Sequence, residues 1–466
     1  MVDYVDSVLF DFTMKRRHFI KGAFVLQTLG FTSCTGIVSA DKKNKVEASF
    51  DVVVVGGGVA GCVAAIQSAR LGAKTLIIER ASQLGGTMTT AGVDFPGLFH
   101  ADCKQIIAGI GWELVCKTIK ENGDSLPKIT HTKQHWKNQV RVNDYLYACI
   151  AEEEFIKAGG EILYYSFPTK IEDCGNGYKI FVSSNSGEGC IFAKKIIDCS
   201  ASASAAVLAG FEREGSDVRQ PGTLIYKIKN YNINNLNLKE IESNYKKAIE
   251  RGQLQKSDLW VSIGGLLHTE GNNSIYVHNA DNSNPLVFSK TNIEGRKVLM
   301  RVFRFLKTQK GLENIKIDYI KTEVGVRETF RIVGEKKITV DEYRTGAMFK
   351  DSLCYSYYPT DLHDTKVGLE TIQQKRGIVP TVPLSAMTPK GAENMLVAGR
   401  CVCSDRLANS ALRVQASCMA MGQVAGCVSA IAALKNISNK KINLNEIRKV
   451  LKANNAIVPE RKFMNI

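Results

Sequence analysis

A glycine-rich turn directly follows a run of β-branched residues near the start of the sequence, and this pairing constrains the fold most. Residues 52–55 are four consecutive valines, which is typical of a strand buried on both faces. The next six residues, Gly56 to Gly61, fit the pattern G-x-G-x-x-G. In that pattern Gly56 makes a tight bend, Gly58 lets backbone N–H groups approach a pyrophosphate, and Gly61 lets a helix pack on the strand. The sequence therefore predicts an α/β fold with a Rossmann-like dinucleotide-binding domain.

An acidic residue stands where the ribose of a dinucleotide needs it. A second apolar run, residues 74–78, leads to Glu79, eighteen residues after Gly61. A carboxylate at this place accepts hydrogen bonds from ribose hydroxyls and repels a 2′-phosphate. We therefore predict that Glu79 and the adjacent Arg80 contact the cofactor. These signals alone do not distinguish NAD from FAD.

A second glycine-rich turn follows soon after the acidic residue. Gly85, Gly86 and Thr87 lie in the segment 84–92, which lets the chain pass close to an extended cofactor. The segment resembles the glycine doublet of FAD-dependent oxidoreductases of the glutathione reductase and fumarate reductase type. The resemblance implies that these three residues contact FAD. The alternative is a surface loop rich in glycine and threonine.

A third group of motifs lies more than 300 residues later. Residues 394–400 predict a strand that ends in a glycine turn, and Ser410 to Arg413 predict the cap of a helix that runs to about Leu434. With Pro383, Pro389-Lys390-Gly391 and residues 419–426, they resemble the FAD-dependent oxidoreductase family. In that family the strand and turn cover the ribityl chain, and the helix N-terminus faces the flavin, where its dipole stabilises the anionic reduced form. The resemblance implies four further FAD contacts: Gly399, Arg400, Leu412 and Arg413.

The middle of the sequence carries further matches to the same family. Residues 325–335 resemble its G-V-R-E-x-R-R-I-x-G-E segment, and residues 358–363 resemble its Y-P-x-D-x-H. Residues 194–200 are similar to a strand that elsewhere ends in D-A-T-G-D, but Ser200-Ala201-Ser202 replaces the glycine and the acid. A looser resemblance extends to the flavin module of heterodisulfide reductase. The four-cysteine spacings that iron–sulfur clusters require are absent from the sequence.

The cofactor motifs stand at both ends of the sequence, so we predict a discontinuous FAD-binding domain. Its two parts are residues 50–212 and 370–435, and residues 213–369 form an inserted α+β substrate lobe. A helix over residues 292–310 is predicted within that lobe, because its apolar residues recur on one face. The substrate site is expected in the cleft between the two domains. Residues 436–466 are a basic tail, interpreted as a solvated terminal helix.

Four residues of the middle and late motifs are candidates for catalysis. Asp361 and His363 alternate on an extended segment, so both side chains point to one face and the carboxylate can orient the imidazole. Arg327 and Arg413 are candidates to hold an anionic substrate oxygen or the flavin O2. A structural histidine is the alternative for His363, and an ion-pair network with Glu328 and Arg331 is the alternative for Arg327. No metal site is predicted.

The motifs together predict an FAD-dependent oxidoreductase that moves a hydride between flavin N5 and a small polar organic substrate. Oxidation of a C–OH or C–H group, on a sugar-like molecule among others, requires a base such as His363. Two alternatives stay open: reduction of an activated alkene, as in fumarate reductase, and a non-catalytic electron-transfer lipoprotein that holds FAD. An electron acceptor is also required, and the sequence identifies neither it nor the substrate.

The net charge of +15 arises largely outside the cofactor motifs. Residues 1–45 contribute three units of it and residues 435–462 contribute six, so we expect no nucleic-acid partner. Met14 to Lys21 resemble a bacterial twin-arginine signal, and the apolar run 22–31 is too short to span a membrane. Cys34 then closes a segment that resembles a lipoprotein box, and cleavage near Ser39-Ala40 is the alternative. We therefore expect a periplasmic protein or a membrane-anchored lipoprotein with no transmembrane span.

Overall fold

A mixed β-sheet with a parallel centre organises the computed structural model, which describes residues 47–132, 134–364 and 368–460. Strand β1 (Ala48–Val55) lies between β2 (Thr75–Ile78) and β8 (Gly187–Asp198), and both neighbours run parallel to it. β5 (Glu161–Leu163) extends the sheet beyond β2 in the same direction. The four valines of β1 are buried, as their pattern predicts. The predicted signal segment, residues 1–40 with Met14 and Cys34, lies outside the described residues.

The far edge of β8 is shared by two strands from distant parts of the sequence. β7 (Tyr178–Ser184) pairs antiparallel with the first half of β8, and β6 (Phe167–Asp173) continues this hairpin. β17 (Met395–Val397) pairs parallel with the second half, placing Met395 opposite Ile196. The late glycine motif therefore enters the same sheet as the first one. This sheet confirms the predicted α/β, Rossmann-like fold class.

Two helices with small side chains pack tightly on the sheet. α1 (Val59–Arg70) follows the first glycine turn, and α10 (Gln415–Leu434) lies against it. A Cβ at Gly422 would lie 2.2 Å from the carbonyl oxygen of Ala60, so the two backbones are nearly in contact. Among the described helices, α10 alone is long and apolar enough to cross a membrane, but 89% of that apolar window is buried in the protein. We therefore interpret α10 as a core helix.

The predicted cap of the long helix is wrong in one respect. Ser410 lies inside a separate short helix, α9 (Arg406–Leu412), and its hydroxyl donates to the carbonyl of Leu407. The extended backbone of Val414 separates α9 from α10, and α10 begins without a side-chain cap. The break has no glycine or proline to mark it, so the sequence pattern predicts one continuous element across it.

Buried residues between Leu224 and Val326 form a second hydrophobic core. It includes the helix predicted over residues 292–310, which is α7 (Pro285–Lys307): the helix begins seven residues earlier and ends three residues earlier than predicted, and Val298, Leu299, Val302 and Leu306 are buried. The described residues belong to one compact unit, Lys43–Ile466. The boundaries of the cofactor domain and the inserted lobe stay a prediction.

The terminal helix α11 (Leu444–Ala453) buries Ile447 and Leu451 in the hydrophobic core that also contains α1 and α10, so it is amphipathic and only half solvated. Basic side chains near it form surface ion pairs, such as Lys435 with Glu446 at 2.7 Å. The remaining helices are α2 (Ile110–Glu121), α3 (Asp144–Lys157), α4 (Ser204–Leu208), α5 (Leu238–Glu250), α6 (Ile263–His268) and α8 (Val340–Thr345). The remaining strands are β3 (His100–Ala101), β4 (Lys104–Gln105), β9 (Arg213–Gly215), β10 (Tyr226–Lys229), β11 (Lys316–Ile320), β12 (Phe330–Ile332), β13 (Ser352–Tyr355), β14 (Thr360–Asp364), β15 (Gly368–Ile372) and β16 (Thr381–Pro383).

Candidate functional site

A cavity of about 710 Å³ lies where the glycine motifs, the α9–α10 junction and the second core meet. It is large enough for a drug-sized or larger ligand. Of the residues that the sequence predicted to contact cofactor or substrate, nine line this cavity: Gly58, Gly85, Thr87, Arg327, Asp361, His363, Gly399, Arg400 and Arg413. Six do not line it: Gly56, Gly61, Glu79, Arg80, Gly86 and Leu412.

The first glycine turn leaves open space at the start of α1. Gly56 has a φ of 100°, and a Cβ there would lie 2.6 Å from the carbonyl oxygen of Cys199. A Cβ at Gly61 would lie 1.9 Å from the carbonyl oxygen of Gly56, whereas a Cβ at Gly58 would meet nothing within 4 Å. The first turn of α1 has no side-chain cap and no acidic residue. A positive helix end facing open space fits the pyrophosphate of a dinucleotide.

Glu79 and Arg80 support this turn from outside the cavity. The carboxylate of Glu79 accepts hydrogen bonds from the backbone N–H groups of Gly57, at 2.6 Å, and Ala81, at 2.8 Å. Burial raises the pKa of this carboxyl group, and the two hydrogen bonds oppose that effect. Arg80 points to Glu323, 3.2 Å away. Both residues stabilise the local structure, and any ribose contact by Glu79 stays a prediction.

The other two glycine turns lie against the first one. The backbone N–H of Gly85 donates to the carbonyl of Gly57 at 2.8 Å, and a Cβ at Gly86 would lie 2.9 Å from Cα of Gly58. Gly399 has a φ of 100° and leads to Arg400, which is buried. The side chain of Arg400 donates to three neutral oxygens, of Ala201, Val326 and Asn282. Three motifs that are distant in the sequence thus line one wall.

The turn where the sequence departs from the family motif also reaches the cavity. Cys199 and Ala201 both line it, although the motif's glycine is replaced by Ala201. Ala201 has a φ of 69°, in the left-handed region that favours glycine. The replacement therefore keeps the backbone path of a glycine turn at a cost in conformational strain.

Asp361 and His363 lie together on β14, as their alternation predicts. The imidazole Nε2 is 3.3 Å from Oδ2 of Asp361, and the imidazole Nδ1 is 2.6 Å from the hydroxyl of Tyr276. A carboxylate only accepts hydrogen bonds, so Nε2 carries the hydrogen and Nδ1 accepts one from Tyr276. Both ring nitrogens of His363 therefore already have partners.

The charges around this pair set its protonation. Burial raises the pKa of Asp361, but the hydrogen bond from His363 and the charges of His363, Arg413 and Arg327 outweigh it and hold the pKa at about 2. Burial and the charge of Arg327 lower the pKa of His363 to about 4, against the attraction of Asp361. At neutral pH the pair is thus a carboxylate beside an uncharged imidazole. An uncharged imidazole has the lone pair that a proton acceptor requires.

Two arginines stand beside this pair. Nη2 of Arg413 is 3.7 Å from Oδ2 of Asp361 and 3.4 Å from Oε1 of Gln220, while its buried Nε has no hydrogen-bond partner in the protein. Arg327 donates to the carbonyl of Pro221 and lies 5.7 Å from the centre of the Tyr276 ring. Burial and the charge of Arg413 lower the pKa of Arg327 to about 10, so it is cationic at neutral pH.

The ion-pair network of Arg327 with Glu328 and Arg331, stated as the alternative for Arg327, is not present among the described residues. Glu328 pairs instead with Arg406 at 2.8 Å and accepts a hydrogen bond from the backbone of Gln220. Arg331 donates to the carbonyl of Ser404. Arg327 is therefore left facing the cavity.

Three residues of the site were missed by sequence reasoning. Tyr276 binds His363, Trp260 stacks on Tyr276 with ring centres 6.1 Å apart, and Gln220 accepts hydrogen bonds from the backbone of His363 and from Arg413. Each comes from the segment before α7, where the sequence shows no motif. Their only signal is that tyrosine and tryptophan carry a polar group that needs a partner when buried.

Comparisons with known proteins agree with the glycine motifs. A family model described as FAD dependent oxidoreductase matches residues 51–451. An uncharacterized protein of the nifH2 5′ region of Methanosarcina barkeri is 29% identical over 163 residues, which are 32% of this chain and 82% of that protein. Dihydrolipoyl dehydrogenase of Trypanosoma brucei brucei is 51% identical over 53 residues, 11% of each chain. A geranylgeranyl bacteriochlorophyll reductase-like structure from Thermoplasma acidophilum is 14% identical with a TM-score of 0.42, covering 87% of this chain and 84% of its own.

Proposed function

The chain belongs to the FAD-dependent oxidoreductase family, and we propose that it oxidises a hydroxyl-bearing carbon of a small, polar, sugar-like substrate. The observation that carries this proposal is the Tyr276–His363–Asp361 chain of hydrogen bonds, in which His363 and Asp361 line the cavity and Tyr276 is buried beside them. Oxidation of an alcohol releases a proton and a hydride, so it requires a proton acceptor beside the hydride acceptor.

The cavity fits FAD as the hydride acceptor. The open space at Gly58, the uncapped start of α1 and the glycine turns at Gly85 and Gly399 would hold the dinucleotide, with Thr87 and Arg400 beside them. When bound, FAD supplies the two-electron acceptor that the carbon–hydrogen bond needs. We propose that the electrons then pass to a separate acceptor, whose identity the family does not specify.

The hydroxyl proton of the substrate is taken up by His363. Its basic nitrogen is Nδ1, which accepts a hydrogen bond from the Tyr276 hydroxyl. The proton therefore arrives in two transfers: the Tyr276 hydroxyl accepts the substrate proton and donates its own proton to Nδ1. The imidazolium that results faces the Asp361 carboxylate, which stabilises its charge. The substrate loses one hydride and one proton and becomes a carbonyl compound.

The character of the cavity wall supports a polyhydroxylated substrate. Trp136 and Trp260 supply aromatic faces, and Gln139, Asn272, Asn273 and Gln373 supply amides. Oδ1 of Asn272 and Oε1 of Gln415 are buried acceptors without a hydrogen-bond partner in the protein. Hydroxyl groups of a ligand would satisfy them, and buried polar atoms require such partners.

A second candidate reaction, reduction of an activated alkene, is favoured by Arg327 and Arg413. Their cationic side chains on the cavity wall would polarise such a substrate and supply hydrogen-bond donors to it. The two reactions demand opposite redox states of the cofactor, so one experiment separates them.

The test begins with purified protein reconstituted with FAD. The visible flavin band should persist after gel filtration, and its absence would remove the central proposal. Under anaerobic conditions, polyols, sugars and hydroxy acids should bleach the band. If none of these compounds bleaches it, and alkene acids reoxidise the chemically reduced protein, the second reaction is selected instead. His363→Ala should lose bleaching but retain the flavin band, and full turnover by this variant would remove the base assignment.

We also propose that the protein is exported and that Cys34 is lipidated. The twin arginines before a short apolar run and the box ending at Cys34 support this proposal. Fractionation of cells expressing the full chain should place it in the membrane fraction, and Cys34→Ala should move it to the soluble periplasmic fraction. Retention in the cytoplasm would contradict the export proposal.

A further inference from the structure

Among the described residues that line the cavity, positive charges outnumber negative charges. Four arginines line the cavity, whereas Asp361 is the single acidic residue in its described lining. His363 is uncharged at neutral pH. Two of the four arginines have evident partners: Arg141 pairs with Asp94 at 3.0 Å, and Arg400 donates to three oxygens.

The other two arginines are less well satisfied. Arg327 has no carboxylate within ion-pair distance among the described residues, because its neighbour Glu328 pairs with Arg406 instead. Arg413 shares Asp361 with His363 and has a buried Nε without a partner in the protein. The charge of Arg413 lowers the pKa of Arg327, and the charges of both arginines lower the pKa of Asp361, so the three groups lie close together. Asp361 is therefore the one carboxylate in the described lining near the two partly buried guanidinium groups, and only Arg413 lies within ion-pair distance of it.

A guanidinium that loses part of its hydration without gaining an anionic partner is destabilised, because little replaces the lost water contacts. A carboxylate is the partner that guanidinium groups bind best, since their parallel N–H donors match its two oxygens. We infer that the substrate of this cavity carries a carboxylate that Arg327 and Arg413 bind, so that it is a hydroxy acid or a sugar acid. This inference rests on the proposed function, because it assumes that the cavity takes a substrate.

The test measures binding to the FAD-loaded protein by calorimetry, with acids and matched uncharged compounds. Suitable pairs are gluconate with glucitol, glucuronate with glucose, and lactate with propane-1,2-diol. The acid of at least one pair should bind about tenfold or more tightly than its neutral partner, as hydrogen bonds to charged groups allow. If no acid binds more tightly than its neutral partner, the inference is overturned.

Variants then locate the anion site. Arg327→Gln and Arg413→Gln should each reduce the acid preference about tenfold or more, and Arg327→Lys should restore part of it because the charge returns. Arg376→Gln is the control, since Arg376 is 76% exposed and lies outside the cavity lining. Circular dichroism checks the folding of each variant. An acid preference that survives in both folded glutamine variants would overturn the inference.

Flavin bleaching is measured separately and distinguishes the two proposals. Arginine-dependent binding of an acid that never bleaches the flavin would keep the anion site and remove the oxidation. Bleaching by neutral polyols at the same affinity as by acids would keep the oxidation and remove the anion site.

Discussion

The hydroxyl of Tyr276 lies 2.6 Å from Nδ1 of His363, whose other nitrogen faces Asp361 at 3.3 Å. The imidazole is therefore held between a donor and a carboxylate, and its basic nitrogen accepts the hydrogen bond of a tyrosine hydroxyl. Trp260 and Arg327 pack on the tyrosine ring and fix its position. The proposed base is thus a chain of three residues.

Replacing Tyr276 by phenylalanine should break this chain. We expect kcat of Tyr276→Phe to fall by about 10²-fold or more, as general-base catalysis contributes this much. The pKa of His363 should rise, because the hydrogen bond to its uncharged form is lost. NMR titration of the imidazole and kcat measured against pH check both effects. Tyr231→Phe is the control, since its hydroxyl donates to Leu267 away from the cavity, and an equal loss in both variants would contradict the relay.

The lowered pKa of His363 should make stability depend on pH. The folded pKa is about 4 and the ordinary value is 6.5, so between these values only the unfolded chain takes up the proton. The free energy of unfolding should therefore fall as pH falls from 6.5 to 4, by about 3 kcal/mol in all. Urea unfolding of wild type and His363→Gln at several pH values measures this slope, which should be smaller in the variant. The Asp361 contribution is lost at lower pH, between 3.8 and about 2.

Two glycines of the first turn should respond differently to alanine. In Gly58→Ala the new methyl meets no protein atom within 4 Å, so the thermal stability of the apoprotein should stay within a few degrees of wild type. The methyl occupies the space where the pyrophosphate approaches the backbone, so FAD should bind about tenfold or more weakly. In Gly61→Ala the methyl would lie 1.9 Å from a carbonyl oxygen, so the apoprotein itself should be destabilised. Thermal melts of apoprotein and fluorescence titration with FAD separate the two effects, and equal behaviour of both variants would contradict the assignment.

Ala201→Gly should stabilise the protein. Its φ of 69° strains alanine, and the related motif has glycine at the matching position. Relief of this strain should raise the free energy of unfolding by about 1 kcal/mol. The greater conformational entropy of glycine in the unfolded chain offsets part of this gain. Urea denaturation measures the change, and Ala209→Gly, at the end of α4 with an ordinary negative φ, should show no such gain.

Features of the site that depend only on residues close together in the sequence could be predicted from the sequence. The turn at Gly56 to Gly61 and the shared face of Asp361 and His363 follow from local geometry, and the structure has both. Tyr276 could not be predicted, because it stands 87 residues from His363 and only tertiary folding joins them. Arg327 and Glu328 likewise do not pair, because Glu328 pairs with Arg406 of α9, which lies 78 residues further along the chain. The break at Val414 was missed because an extended backbone needs no special residue.

The pairing of β17 with β8 constrains when the protein can acquire its cofactor during synthesis. Met395 joins Ile196 across 199 residues, and α10 covers α1 only after residue 434 has been made. At about 5–20 residues per second, a ribosome leaves the edge of β8 unpaired for roughly 10–40 s and the face of α1 uncovered for roughly 20–70 s. A nascent chain in that interval presents an open strand edge and apolar surface, which chaperones bind and which promote aggregation. The complete wall of the cofactor cavity can therefore form only after residues 395–434 have been made, and we expect a product truncated before residue 395 to aggregate.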